Sequence, residues 1–264
     1  MTAIRIAIHG AAGRMGRRLV ALAAVDPQLT VAAALESPQS ALLGDDAGIV
    51  AGCGALGVPL AAELLVPVDV VIDFSVPQAA ERIVESCRLN NLPLVLATTG
   101  FEPRQIERIR AAANQIPLLW SPSMSMAVNL TMKLCELAGK ALADKDADVE
   151  ILERHHRFKE DSPSGTALKF GEIIAAEMGQ TEQVHGRSGR PGRRPHHEIG
   201  FHAIRVGDNP GEHTIVFAML GETLELTVRA SNRDCYAQGA LAAARFLAGK
   251  PAGMYGMGDV LGLS

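Results

Sequence analysis

Ile4-Arg5-Ile6-Ala7-Ile8-His9-Gly10-Ala11-Ala12-Gly13-Arg14-Met15-Gly16 is the stretch that decides the fold. It opens as a short apolar run that stops at a glycine, and its length favours a buried parallel strand over a helix. Leu19, Leu22 and Ala23 then recur at helical spacing, which reads as a helix over residues 15–25. Between strand and helix lie Gly10, Ala11, Ala12, Gly13, Arg14 and Met15. Ala12 takes the middle glycine position, so the spacing is GxxGxxG rather than GxGxxG. Small residues there permit a tight turn and a close approach of backbone to a pyrophosphate, which the helix N-terminus attracts. A second strand over residues 29–35 ends at Glu36, 20 residues after Gly16. Strand, glycine turn, helix, and an acid ending the second strand form the setting of a dinucleotide site, with the Glu36 carboxylate placed to accept from a ribose diol.

Working outward, strand and helix patterns keep alternating. Strands read over 68–74, 93–97 and 117–120, and helices over 77–88 and 103–114, the first opened by Pro77. This is the signature of βαβ units and a doubly wound, Rossmann-type parallel sheet, with ligands at the strand C-termini. Ala97-Thr98-Thr99 follows a later strand on that edge and reads as lining for a nicotinamide pocket. Ser121-Pro122-Ser123-Met124 ends the last strand and reads as a hinge and roof to it. After about Ser121 the character changes to α+β. Helices read over 128–142 and 166–178, with Gly179 as a stop. Strands read over 149–154, 199–206, 213–220 and 222–230, as a mainly antiparallel sheet with a loop at 185–198. A last helix, 238–247, packs back on the first half. The division expected is 1–124 plus 236–264 for dinucleotide binding and 125–235 for substrate binding and oligomerisation.

Composition bounds the classes. The chain has 264 residues, 48% hydrophobic and 20% charged, enough for a sizeable core and too apolar for disorder. No apolar run approaches the roughly 18 residues of a membrane span. Met1 to Ile6 carries no signal-type core, since Arg5 interrupts it. A net charge of −4 with 4% aromatics argues against nucleic acid. The basic loop with Arg187, Arg190, Arg193, Arg194, His196 and His197 therefore reads as solvated or pocket-flanking. Cys53, Cys87, Cys135 and Cys235 form no CxxC pair, so neither zinc nor disulfides are indicated, and a cytoplasmic setting is expected.

The densest chemistry is Glu153-Arg154-His155-His156-Arg157-Phe158-Lys159, followed by Asp161-Ser162-Pro163-Ser164-Gly165-Thr166 opening a helix. Histidine can deliver a proton near neutral pH, and lysine can hold a carboxylate or stabilise developing negative charge. Ser164 suits an N-cap, and Gly165 with Thr166 leaves the helix amides open to an anion. Together these segments read as a pocket for a small, multiply anionic substrate. No acidic or cysteine partner has ligand-like spacing, so no metal is expected.

These stretches, with Arg205-Val206-Gly207-Asp208 and Gly211-Glu212-His213-Thr214, resemble the 4-hydroxy-tetrahydrodipicolinate (dihydrodipicolinate) reductase family of the lysine pathway over nearly the whole chain. The resemblance implies that His155 is the acid–base group and Lys159 a proton donor and substrate anchor. It implies that His156, Gly165 and Thr166, with Ser164 at the cap, bind a substrate carboxylate. It places the cofactor on residues 10–15, Glu36, 97–99 and 121–124. Reduction of a cyclic unsaturated dicarboxylate by hydride, closure of two domains over the reactants, and a homotetramer built through the second domain are implied as well. The chain departs from relatives at Ser37, where some carry arginine for a 2′-phosphate, at Ser123, often asparagine, and at Ala97, often glycine. No Lys or Arg lies between Glu36 and Leu65, so NADH is expected to be preferred and NADPH usable. Another nicotinamide-dependent dehydrogenase of similar layout would give no reason for the block from Lys159 to Thr166. A silent dinucleotide sensor would not need His155 or Lys159.

Overall fold

The computed structural model describes residues 2–263, which divide into two compact units, 2–126 with 233–263, and 127–232. In the first, β1 (Ile4–His9) leads through the glycine turn into α1 (Arg14–Ala23). β2 (Leu29–Leu35), the short α2 (Ala47–Ala51) and β3 (Leu60–Ala61) follow. Then come β4 (Val70–Asp73), α3 (Pro77–Asn90), β5 (Leu94–Leu96), α4 (Pro103–Ala113) and β6 (Pro117–Trp120). Pro77 and Pro103 open α3 and α4, where a missing N–H costs nothing.

The strands pair in parallel, with β4, β5 and β6 on one side of β1 and β2 and β3 on the other. The order in which strands are added therefore reverses between β1 and β4, and a crevice at the carboxyl ends is fixed there by topology. Alternation along β1 feeds both faces of the sheet. Ile6 and Ile8 join Leu19, Val20 and Val95 on one side, and Ala7 joins Ile83, Val84 and Leu96 on the other. The apolar strands are buried because helices cover both faces.

The chain's last segment completes this unit. α7 (Asp234–Leu247) packs on α1 and on β4, β5 and β6, through Ala240, Leu241, Ala244 and Leu247. Arg18 grips Asp234 with two hydrogen bonds, at 2.6 and 2.9 Å, and Arg245 reaches Asp26 at 2.5 Å. β12 (Gly253–Tyr255) then adds a parallel strand beside β6, and α8 (Met257–Val260) follows. α2, β3, β12 and α8 were not legible in the sequence. Each has five residues or fewer and, unlike β4, β5 and β6, no continuous run of large apolar side chains to mark it.

The second unit holds α5 (Met126–Leu142), β7 (Asp148–His155), α6 (Gly165–Met178), β8 (Glu182–His185), β9 (Glu198–Arg205), β10 (Glu212–Met219) and β11 (Glu222–Arg229). Its sheet runs β11-β10-β7-β9-β8. It is mixed rather than mainly antiparallel. β10 pairs antiparallel with β11 and β7, but β9 runs parallel to both β7 and β8. The reason is α6, which is the long crossover that a parallel pairing needs. β8, with three of its four residues exposed and polar, lies at the edge and at the border of the expected loop. Phe170, Ile174, Phe201, Ile215 and Phe217 fill the core between sheet and helices. Gly179, at φ +75°, ends α6 in the left-handed region as expected.

Candidate functional site

Two clusters of polar chemistry emerge, one in each unit. In the first, Gly10 turns the chain at φ +79°, and a Cβ there would come within 2.5 Å of the Phe74 carbonyl oxygen. A Cβ on Gly16 would lie 2.1 Å from the Gly10 oxygen and 2.6 Å from the Ala11 Cα, so α1 sits on the turn only because position 16 has no side chain. Gly13 is the N-cap and supplies no side-chain acceptor, which leaves the amides of Arg14, Met15 and Gly16 without an intrahelical partner. The Glu36 carboxylate accepts from the Ala12 and Ser37 amides, each at 2.9 Å. The acid that ends β2 is thus pinned against the glycine turn, with lone pairs left over for a diol. The cradle fits a dinucleotide pyrophosphate and ribose.

The other expected cofactor segments lie on the same carboxyl edge. Thr98 is buried, and its hydroxyl donates to Asp73 Oδ2 at 2.5 Å while accepting from the Ser75 amide at 3.1 Å. It serves the framework, while Thr99 is exposed and Ala97 half-buried. Ser121 donates to the Ser123 carbonyl at 2.7 Å; Ser121, Ser123 and Met124 are buried, and Pro122 is exposed. A Cβ on Gly239 would fall 1.7 Å from the Met124 oxygen, so α7 presses directly on this segment. Sequence reasoning missed the centre of the edge. Asp73 is fully buried, with His9 Nδ1 at 2.6 Å and the Ser75 hydroxyl at 2.7 Å. The one signal was a carboxylate ending an otherwise apolar strand, since a buried charge needs partners.

In the second unit, β7 ends in His155, whose Nδ1 lies 2.6 Å from Glu153 Oε2. A carboxylate only accepts, so Nδ1 carries the proton and Nε2 is the free nitrogen. Arg205, ending β9, donates to both Glu153 oxygens at 2.7 Å, and the Ser164 amide donates to Oε1 at 3.0 Å. Burial alone would raise the Glu153 carboxyl, but these hydrogen bonds outweigh it and hold it at about 2.

Ser164 caps α6, accepting from the Ala167 amide at 3.2 Å. Its Oγ is 3.1 Å from Nε2 of His213, on β10. His213 is buried, and burial together with the neighbouring His155 lowers it to about 4. It is therefore neutral at pH 7, with one ring nitrogen protonated and its Nε2 hydrogen-bonded to the Ser164 hydroxyl. The His155 and His213 rings meet edge to face, 5.3 Å apart. Ser164 is thus committed internally, and Gly165, exposed, and Thr166, half-buried, are what the helix end presents. Lys159 pairs with Asp161 at 2.8 Å. His156 holds a buried Nδ1 with no hydrogen-bond partner among the described residues.

The basic loop has a different use. Arg187 and Arg194 bind Glu150 at 2.7 and 3.1 Å and also pair with Glu198, and Arg194 reaches Asp148 at 2.6 Å. His196 and His197 lie against Asp146 and Glu182. Arg190 and Arg193 are exposed. Carboxylates thus face four of the six basic side chains of the loop. Among the described residues, no group of three or more ligating side chains could hold a metal, and no helix is long and apolar enough to cross a membrane.

A β1–glycine turn–α1 cradle at the switch point of a parallel sheet, joined in one chain to a unit bearing a histidine–lysine cluster, defines a nicotinamide-dinucleotide-dependent oxidoreductase. Residues 4–124 match the family described as dihydrodipicolinate reductase, N-terminus, and residues 127–261 match its C-terminus. The chain belongs to the dihydrodipicolinate reductase family. It is 55% identical over 99% of its length to 4-hydroxy-tetrahydrodipicolinate reductase of Rhodopirellula baltica, covering 97% of that protein. It is 47% identical to the same enzyme of Alkalilimnicola ehrlichii, covering 98% of this chain and 99% of that one. Dipicolinate-bound dihydrodipicolinate reductase from Paenisporosarcina sp. TG-14 superposes with a TM-score of 0.78 at 25% identity, covering 97% and 99% of the two chains. An amine dehydrogenase from Mycobacterium smegmatis, at 13% identity and a TM-score of 0.66, shares the fold alone.

Proposed function

We propose that this chain reduces 4-hydroxy-tetrahydrodipicolinate to tetrahydrodipicolinate in lysine and diaminopimelate biosynthesis, with NADH preferred and NADPH usable. The observation that carries the reading is the cluster at the end of β7. There a histidine with a fixed tautomer, a lysine and an open helix N-terminus converge in one unit, as a small dicarboxylate requires. Residues 1–124 with 236–264 serve the dinucleotide, and 125–235 serve substrate binding and assembly.

The roles follow from the geometry of each group. Gly10 to Met15 receive the pyrophosphate, and Glu36 takes the adenosine ribose diol. Thr98, through Asp73, sets the floor of the nicotinamide end, and residues 121–124 flank it. When bound, the dinucleotide supplies hydride from C4 of its nicotinamide. His155, protonated at Nε2 as well as at the Nδ1–H held by Glu153, gives the Nε2 proton to the charge left on the reduced ring and is left as the neutral Nδ1–H imidazole. Lys159 anchors the substrate and stabilises that charge as it develops. Gly165, Thr166 and the His156 ring receive a carboxylate, with Ser164 holding the helix end that presents it.

NADH preference is supported by the pinned Glu36 carboxylate, which would meet a 2′-phosphate with like charge, and by neutral Ser37 beside it. A homotetramer through the second unit is supported by Leu152 and Ile204, 37% and 42% exposed on the sheet face opposite the core. A cytoplasmic location suits free cysteines.

The test is absorbance at 340 nm with purified chain, NADH or NADPH, and substrate generated in place by its synthase. Substrate-dependent oxidation, faster with NADH, is expected. His155→Ala should cut kcat by 100-fold or more, on the order of general acid catalysis, and leave NADH affinity within about twofold. No oxidation by folded chain that still binds NADH would overturn the reading.

A further inference from the structure

Glu153 is the residue on which the second unit's chemistry converges. One of its oxygens accepts from His155 Nδ1 at 2.6 Å, and the other from the Ser164 amide at 3.0 Å. Arg205 bridges both at 2.7 Å, and the Glu153 side chain is 1% exposed. A side chain so enclosed touches no substrate, and the glutamate of a bare ion pair would not also hold a backbone amide at the start of a helix.

We infer that Glu153 is the positioning residue of this site, a single carboxylate that registers the His155 imidazole and the N-terminus of α6 to one another. The inference rests on the reading of His155 as the proton donor. With Nδ1–H spent on Glu153, the ring has one nitrogen left for the reaction, and its plane is fixed. The Ser164 amide precedes Gly165 and Thr166, so the same carboxylate sets where the helix end lies. The remaining charged and titratable neighbours of His155 fit this role. His213 packs against the ring as a neutral group, Arg205 compensates Glu153, and Lys159 has Asp161. A displaced carboxylate would therefore misplace acid and anion site together.

Two full-length variants test it. In Glu153→Gln the amide can accept from His155 or from Ser164 but not both, because its other end is a donor. The double variant E153M/R205M removes both charges and keeps an apolar pair of similar volume, so no buried arginine is left alone to unfold the unit. The ring nitrogens of the 15N-labelled, ligand-free chain are read by NMR, and kcat and KM by the 340 nm assay. Wild-type His155 should show the Nδ1–H tautomer, and the double variant should revert to the Nε2–H form that free imidazole favours. Both variants should lose kcat by about 10–100-fold, as for residues that orient a functional imidazole, with a several-fold rise in KM. An unchanged tautomer in the double variant, or kcat restored to within twofold of wild type, would overturn the inference. A wild-type chain that reduces nothing would sink the reductase reading alone, and the ring spectra would still decide the place of Glu153.

Discussion

His213 makes a sharp prediction about acid. It lies buried on β10 between Ser164 and the Phe170 ring, and burial with the charges of His155 and Lys159 lowers it from 6.5 to about 4 against the opposing pull of Glu153. The folded state therefore holds this imidazole neutral at pH values where the unfolded chain protonates it. Between pH 6.5 and about 4 the unfolded state binds more protons, so stability falls as pH falls. The full gap, at about 1.4 kcal/mol per pH unit, comes to about 3 kcal/mol, of which about 2 kcal/mol is lost already at pH 5. The window is distinct from that of Glu153, whose depressed pKa stabilises above about 4.5 and is lost only as pH falls toward about 2. His213→Gln keeps a partner for the Ser164 hydroxyl and cannot titrate. The assay is amide exchange of β10, corrected for intrinsic rate, at pH 7 and pH 5. Trp120, the one tryptophan, sits on β6 and reports the other unit. Wild type should lose about 2 kcal/mol more protection than the variant over that interval. Equal losses would refute the claim that His213 is held neutral by its burial.

The glycine turn gives two more. Gly16→Ala puts a Cβ 2.1 Å from one backbone atom and 2.6 Å from another, neither of which can swing away. Destabilisation of the first unit by about 3 kcal/mol, read from Trp120 fluorescence in urea, should accompany loss of NADH binding; a variant of wild-type stability would mean the turn is more pliable than its contacts indicate. Glu36→Ala should weaken NADH by about tenfold, the worth of a charge-assisted hydrogen bond, and NADPH by less. An unchanged ratio of the two affinities would remove Glu36 from the ribose site.

Much of the site was legible because its chemistry is local. A turn that needs glycine at position 10 declares itself in one dimension, and so does a helix N-terminus opened by Ser164-Gly165-Thr166. α2, β3, β12 and α8 stayed hidden because they are short and lack the continuous runs of large apolar side chains that marked β4, β5 and β6. Strand direction in the second sheet stayed hidden for another reason. The runs at 149–154 and 199–206 alternate alike whether paired parallel or antiparallel, and only the path of α6 between them chooses. Thr98 illustrates a third limit. Its place after a strand on the carboxyl edge was readable, but that its hydroxyl is spent on Asp73 depends on two strands meeting.

The sequence by itself determined the parallel sheet, its glycine turn and the residue types that can handle a dicarboxylate, since these follow from periodicity, backbone freedom and side-chain chemistry within short windows. Tertiary structure alone decided which groups are free to act. His9 and Asp73 are 64 residues apart, Glu153 and Arg205 are 52 apart, and Ser164 and His213 are 49 apart. Burial and hydrogen bonding between such distant residues set which atoms carry protons, and no local pattern encodes that.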